Sequence, residues 1–99
     1  MVTKEDILQF IEARKASLFS EYHVVKIGLF GSFARSEEAE DSDIDLLVEF
    51  APNTENLTEI KSQLRALFES HFHRKVDLCR EKYIKPYYRK AILESAIYV

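Results

Sequence analysis

From Val24 to Phe30 the chain reads Val-Val-Lys-Ile-Gly-Leu-Phe, a β-branched and apolar run that stops at the turn-forming Gly31. It is too short for a helix and reads as a buried strand. From Asp43 to Phe50 the pattern changes: Ile44, Leu46, Val48 and Phe50 alternate with Asp43, Asp45, Leu47 and Glu49. A period of two gives a strand with one apolar face. Val76 to Cys79 is a third, shorter strand, with Val76 and Leu78 on one side and Asp77 on the other. Helical spacing fills the intervals. Thr3 and Asp6 read as a capping box opening a helix over Lys4 to Glu21, with Ile7, Leu8, Ile11, Ala16, Leu18 and Phe19 as its apolar stripe. Ser32 to Glu38 predicts a short helix, and Glu40 to Ser42 a loop. Beyond the turn at Pro52, Asn53 and Thr54, the residues Leu57, Ile60, Leu64, Leu67 and Phe68 predict a long helix over Glu55 to Ser70. Pro86 suits the first turn of a last helix that carries Ile92, Leu93, Ala96 and Ile97 to the C-terminus. The order αβαβαβα predicts an α/β chain of the α+β kind, with helices packed on a small three-stranded sheet.

Ninety-nine residues, 46% of them hydrophobic, can bury one core of modest size, so residues 1–99 are expected to form a single domain. The start Met-Val-Thr-Lys-Glu-Asp-Ile has no apolar h-region, and no later stretch approaches the roughly eighteen apolar residues of a membrane span. A soluble, cytoplasmic chain with no membrane partner is expected. Cys79 is the only cysteine, which leaves no internal disulfide and no Cys-based zinc site within the chain. Fourteen basic against seventeen acidic residues give a formal charge of -3, which argues against a nucleic-acid partner and a template-tracking polymerase. Lys82, Lys85, Arg89 and Lys90 read as a solvated helix face. His71 and His73, two apart at a helix end, do not share a helical face and are not read as a metal site.

Two stretches carry candidate chemistry. Gly31-Ser32 joins a strand to a short helix, where backbone amides and a hydroxyl can be aimed at a phosphate. Asp43 and Asp45 project from one strand face with Cα atoms roughly 6 to 7 Å apart. Two carboxylates so placed are unfavourable unless water, a cation or a donor compensates them, and hard oxygen ligands suit Mg²⁺. An acidic strand start in solvent is the plainer alternative. Asp77 joins the pair if its strand neighbours theirs, and is otherwise an ordinary strand-edge aspartate. Arg35 could reach a phosphate, or could pair with Glu38 or Asp41.

The combined pattern resembles the minimal nucleotidyltransferase family of the DNA polymerase β-like superfamily, whose signature is Gly-Ser, ten residues, then Asp-x-Asp. Gly31-Ser32, the ten residues Phe33 to Ser42, and Asp43-Ile44-Asp45 match it without a gap, and Arg35, Leu46-Leu47-Val48 and Lys75-Val76-Asp77-Leu78 extend the match. Many relatives have glycine where this chain has Ser36. The resemblance implies a nucleotidyltransferase fold with a mixed sheet. It implies Asp43, Asp45 and Asp77 as catalytic metal ligands, two Mg²⁺ ions with bound nucleotide, and Gly31, Ser32 and Arg35 at the triphosphate. It further implies transfer of a nucleoside monophosphate, AMP above all, from a triphosphate such as ATP to a hydroxyl. That hydroxyl would be a tyrosine of a small helical HEPN-type toxin, which makes this chain an antitoxin. The alternative is a non-catalytic module that neutralises its partner by covering it. Modification of a small molecule such as an aminoglycoside fits less well, because so short a chain leaves little surface for an acceptor pocket. Tyr87, Tyr88, Tyr98 and Val99 are surplus to the last helix's apolar stripe and are candidates for an interface or for ordinary surface packing.

Overall fold

The computed structural model describes residues 2–99. Thr3 opens α1 (Lys4–Ala13) through the expected reciprocal cap: its hydroxyl accepts from the Asp6 amide at 3.2 Å, and its amide donates to the Asp6 carboxylate at 3.0 Å. The helix expected to continue to Glu21 is broken. Arg14 leaves helical conformation (φ -110°, ψ 12°) and a separate α2 (Lys15–Tyr22) follows. The Ser17 hydroxyl donates to the Arg14 carbonyl at 3.1 Å, a local side-chain bond that competes with a regular helical ladder. Ile7, Phe10 and Ile11 are buried before the break and Leu18 after it, whereas Phe19, assigned to the stripe, is 60% exposed.

The strand β1 (Val24–Phe30) has the limits its apolar run predicts, and β2 (Ile44–Phe50) begins one residue after Asp43. They pair antiparallel, Leu29 opposite Leu46 and Phe30 opposite Asp45. Between them α3 is only Gly31–Ala34, shorter than the expected Ser32 to Glu38. The long helix α4 spans Leu57–Phe72 and buries Leu64, Phe68 and Phe72, one residue per turn on a single face. Phe10 of α1 meets Phe68 and Phe72 edge-on, with centroids 5.1 Å away in each case. Each such phenyl ring contributes about 1.5–3 kcal/mol through burial. Beyond α4, β3 (Val76–Cys79) pairs parallel to β2.

The C-terminus differs from its expected course. The last helix, α5 (Pro86–Ser95), ends early. Ala96 is extended and Ile97–Tyr98 form β4, antiparallel to β1 on its outer edge. The sheet therefore has four strands, not three, in the order β3-β2-β1-β4. The cause is local and then tertiary. Ser95 Oγ bonds the Ala91 and Ile92 carbonyls at 3.2 Å, closing the helix end. The following Ile-Tyr-Val has β-forming side chains and an open edge of β1 to pair with. Tyr98 lies over Gly28, where an added Cβ would come within 2.7 Å of its ring. Its hydroxyl donates to Glu81, which Lys26 also approaches at 2.9 Å. These donors hold the Glu81 carboxyl below the usual range, while burial and Glu81 push the Tyr98 phenol up to about 12. Tyr98 thus belongs to the sheet while keeping 39% of its surface exposed, and the Val99 amide follows it by donating to the Ile27 carbonyl at 3.0 Å.

One sheet face carries Ile27, Leu29, Ile44, Leu46, Val48 and Val76 into a single core with α1, α2 and α4. The opposite face carries Asp45, Leu47, Glu49 and Asp77. It is flanked by a 3-10 turn, Glu81–Tyr83, and by α5, which fully buries none of its residues. Among the described residues no helix is long and apolar enough to cross a membrane.

Candidate active site

Strand direction decides which ends meet. Because β1 runs against β2 while β3 runs with it, the end of β1 and the starts of β2 and β3 lie at one edge of the sheet. That edge gathers Gly31, Asp43, Asp45 and Asp77. Asp45 is directly in register with Asp77, so their side chains leave the same face of adjacent strands. Asp43, two residues before Asp45, completes the group. The strand adjacency on which Asp77's role depends is therefore present.

Gly31 turns the chain from β1 into α3 with φ +75°, a region that an L-residue enters at a cost of about 1–2 kcal/mol. A side chain there would also meet Asp45: an added Cβ would lie 3.1 Å from its Cγ and closer still to Oδ2. Glycine is required twice over, by the backbone and by the carboxylate beside it. Phe33, fully buried, anchors α3 to the core, and Ser32 stands half-buried in the first turn. Phe30, at the N-cap, provides no side-chain cap, so the turn's first amides are not taken by a capping group.

Burial pushes the Asp45 carboxyl up to about 6, with the charges of Asp77 and then Asp43 adding to it and Arg35 opposing them. The cluster holds more negative charge than its surroundings compensate. Asp77 itself is exposed at the rim and Asp43 half-buried. Arg35 is exposed and pairs at 3.3 Å with Glu37, not with Glu38 or Asp41. An exposed pair of this kind contributes about 0–1 kcal/mol, so little holds the guanidinium there.

Ser36 has φ 57°. Serine keeps the left-handed turn that a glycine would adopt without strain, and the Glu37 amide closes it on the Ser32 carbonyl at 2.8 Å. Replacing Ser36 with Gly is expected to stabilise the fold by about 0.5–1 kcal/mol, the relief of strain exceeding the entropy gained by the unfolded chain. Thermal melts of the two proteins would check this, and a lower Tm for the variant would contradict it.

The histidines have structural positions. His73 caps α4 at φ 54°, and the His71 ring lies 4.2 Å from that of Phe10. Among the described residues no three His, Cys, Asp or Glu side chains stand grouped as a preformed metal site, Asp43, Asp45 and Asp77 included. The basic residues Lys82, Lys85, Arg89 and Lys90 are exposed, as are Tyr87 (75%) and Tyr88 (55%). One contributor near the site escaped the sequence reading: Arg74, whose Nη1 donates to the Ser42 carbonyl at 2.9 Å. Its only signal in the sequence is its place just before the Lys75-Val76-Asp77 strand.

A family model described as the nucleotidyltransferase domain matches residues 10–99. A Methanocaldococcus jannaschii protein named as a protein adenylyltransferase is 40% identical over 100 residues, covering all of both chains. The protein adenylyltransferase MntA of Thermococcus cleftensis is 36% identical, covering all of this chain and 98% of its own. A solved structure described as a minimal nucleotidyltransferase matches with a TM-score of 0.76 at 32% identity, over 97% of this chain and 95% of that one. A toxin-antitoxin crystal structure with AMP-PNP shares the fold, with a TM-score of 0.65 at 21% identity over 88% of this chain and 70% of that one.

Proposed function

Because the chain belongs to the nucleotidyltransferase domain family, we propose that it transfers AMP from ATP to a hydroxyl of a partner protein, a tyrosine of a small helical HEPN-type toxin. The carrying observation is the in-register pair Asp45 and Asp77, with Asp43 beside them and Gly31 giving their carboxylates room. The adenylyltransferase names of the full-length relatives support AMP as the transferred group, and the toxin-antitoxin structure with this fold supports the kind of partner. Acting on such a partner, the chain is an antitoxin that works in the cytoplasm.

The donor set suits Mg²⁺. All three groups are hard carboxylate oxygens, and a divalent cation would offset both the burial that raises the Asp45 carboxyl and the neighbouring charges of Asp77 and Asp43 that add to it. Since the three do not form a preformed metal group among the described residues, the remaining ligands would come from the triphosphate and water. Asp43, Asp45 and Asp77 would hold the ions. When bound, the metal offsets charge on the phosphates and lowers the pKa of the acceptor hydroxyl.

The chain's own groups do the positioning. The Ser32 hydroxyl and the amides after Gly31 hold the β and γ phosphates, and Arg35, once turned from Glu37, adds a charge-assisted contact. Asp77, exposed at the rim, faces the acceptor and orients its hydroxyl. The acceptor hydroxyl gives up its proton to water, its oxygen bonds to the α-phosphorus as the bond to pyrophosphate breaks, in line, and pyrophosphate departs. The test is incubation with labelled ATP, Mg²⁺ and the product of the neighbouring gene. A mass gain of whole adenylates on the partner is expected. A stable complex without any mass gain would instead establish neutralisation by covering.

A further inference from the structure

Asp43 stands outside the regular strand, at the end of the irregular segment that follows Ser36. Its flanking residues are tied to one place. On one side the Ser42 carbonyl accepts from Arg74 Nη1 at 2.9 Å; on the other the Ile44 amide donates to the Lys75 carbonyl at 2.9 Å. Two consecutive residues at the entry to β3 thus grip the backbone before and after Asp43. The same guanidinium lies 5.3 Å from the centroid of the Phe33 ring in α3. Arg74 is half-buried, and the base of its strand is fixed in turn by the Val76 amide donating to Glu69 of α4 at 3.0 Å.

We infer that Arg74 is a positioning residue for the carboxylate site, fixing Asp43 relative to Asp45 and Asp77 by bridging α3, the Asp43 segment and β3. It touches none of the three aspartates and acts through the Ser42 carbonyl. A planar guanidinium suits the task, because one edge bonds the carbonyl while its face lies on an aromatic ring. The segment's other closure is its own turn, in which the Ala39 amide donates to the Ser42 hydroxyl at 2.8 Å and the Ser42 amide donates to the Ala39 carbonyl at 3.1 Å. That turn shapes the segment without attaching it to β3. Losing Arg74 would leave Asp43 free to move away from its partners while the core, which Arg74 meets only at the Phe33 ring, persists.

The inference rests on the nucleotidyltransferase reading for its chemical consequence but not for its structural one, and two measurements separate them. The first is amide hydrogen exchange of the free protein over Ala39–Ile44, in the parent, Arg74→Gln and Arg74→Lys. Faster exchange in Arg74→Gln, only partly restored in Arg74→Lys, is expected. The second is ATP binding titrated against Mg²⁺. Removal of a group that orients a metal ligand typically costs about 10–100-fold in metal affinity, so Arg74→Gln should raise the half-saturating Mg²⁺ concentration about tenfold, with Arg74→Lys between it and the parent. A merely structural residue would lower Tm and leave the Mg²⁺ dependence unmoved. Unchanged exchange, or an unchanged Mg²⁺ midpoint in a parent that binds ATP, overturns the inference. If Arg74→Gln does not fold, Arg74→Lys decides it: exchange and Mg²⁺ midpoint intermediate in shift support the inference, and both equal to the parent's overturn it. A parent that shows no Mg²⁺-dependent ATP binding defeats the functional reading, while the exchange data still decide whether Arg74 holds the segment.

Discussion

Asp45→Asn is expected to reduce nucleotidyl transfer by about 10³-fold or more, the loss of several kcal/mol of metal-mediated charge stabilisation, while making the metal-free protein more stable at pH 8. Both effects come from one carboxylate. Its pKa is raised in the folded state from an ordinary 3.8 to about 6 by burial and by Asp77 and Asp43. The folded chain therefore binds a proton more tightly than the unfolded chain, and stability falls as pH rises from about 4 through 6. Above that window the parent carries the full penalty and the neutral Asn does not. Water reaches this half-buried group, so the gain is discounted to about 1 kcal/mol, or roughly 4–8 °C in Tm for a domain of this size. At pH 4 the two proteins should melt together. Melts in chelator at both pH values, followed by the same melts with Mg²⁺ and ATP, provide the check: ligand should raise the Tm of the parent far more than that of the variant. A variant less stable than the parent at pH 8 would show that the carboxylate makes structural bonds instead.

Gly31→Ala should be the most damaging small substitution near the site, costing about 1–3 kcal/mol of stability and about 100-fold in transfer rate. Positive φ accounts for part of the loss and the collision with Asp45 for the rest. A double-mutant cycle separates the two. In an Asp45→Ala background the obstructing carboxylate is gone, so Gly31→Ala should cost only the backbone strain. Equal costs in both backgrounds, measured by denaturant unfolding, would mean that Gly31 is needed for its conformation alone.

These effects could be anticipated unevenly from the chain itself. The runs Val24–Phe30 and Val76–Cys79 were legible because apolar and β-branched residues between turn signals leave little alternative, and the Gly-Ser and Asp-x-Asp spacing singled out Gly31, Ser32, Asp43 and Asp45 as candidates. The site's other half was not legible to the same degree. That Asp77 faces Asp45 depends on β3 pairing with β2, a contact between distant residues that local pattern does not encode. β4 was hidden for a related reason. Ile97 continues the helical spacing of Ile92 and Leu93, and only the vacant edge of β1 makes a strand the better outcome. The break at Arg14 and the left-handed Ser36 lie in segments without Pro or Gly, where nothing in residue type announces a turn. Arg74 was overlooked because a single arginine acquires its role through the carbonyl it meets.

The mixed pairing of the sheet also imposes an order of assembly. β1 and β2 form a local antiparallel hairpin, whereas β3 reaches β2 only after α4 has been laid down between them. Contacts between sequence neighbours close early and those across long intervals close late. On a growing polypeptide, Gly31, Asp43 and Asp45 emerge and can pair before Asp77 has been synthesised. The crowding of Asp45 by Asp77 therefore arises only when the parallel strand docks, so the hairpin nucleates without opposition from it and the repulsion falls on the closing steps of folding.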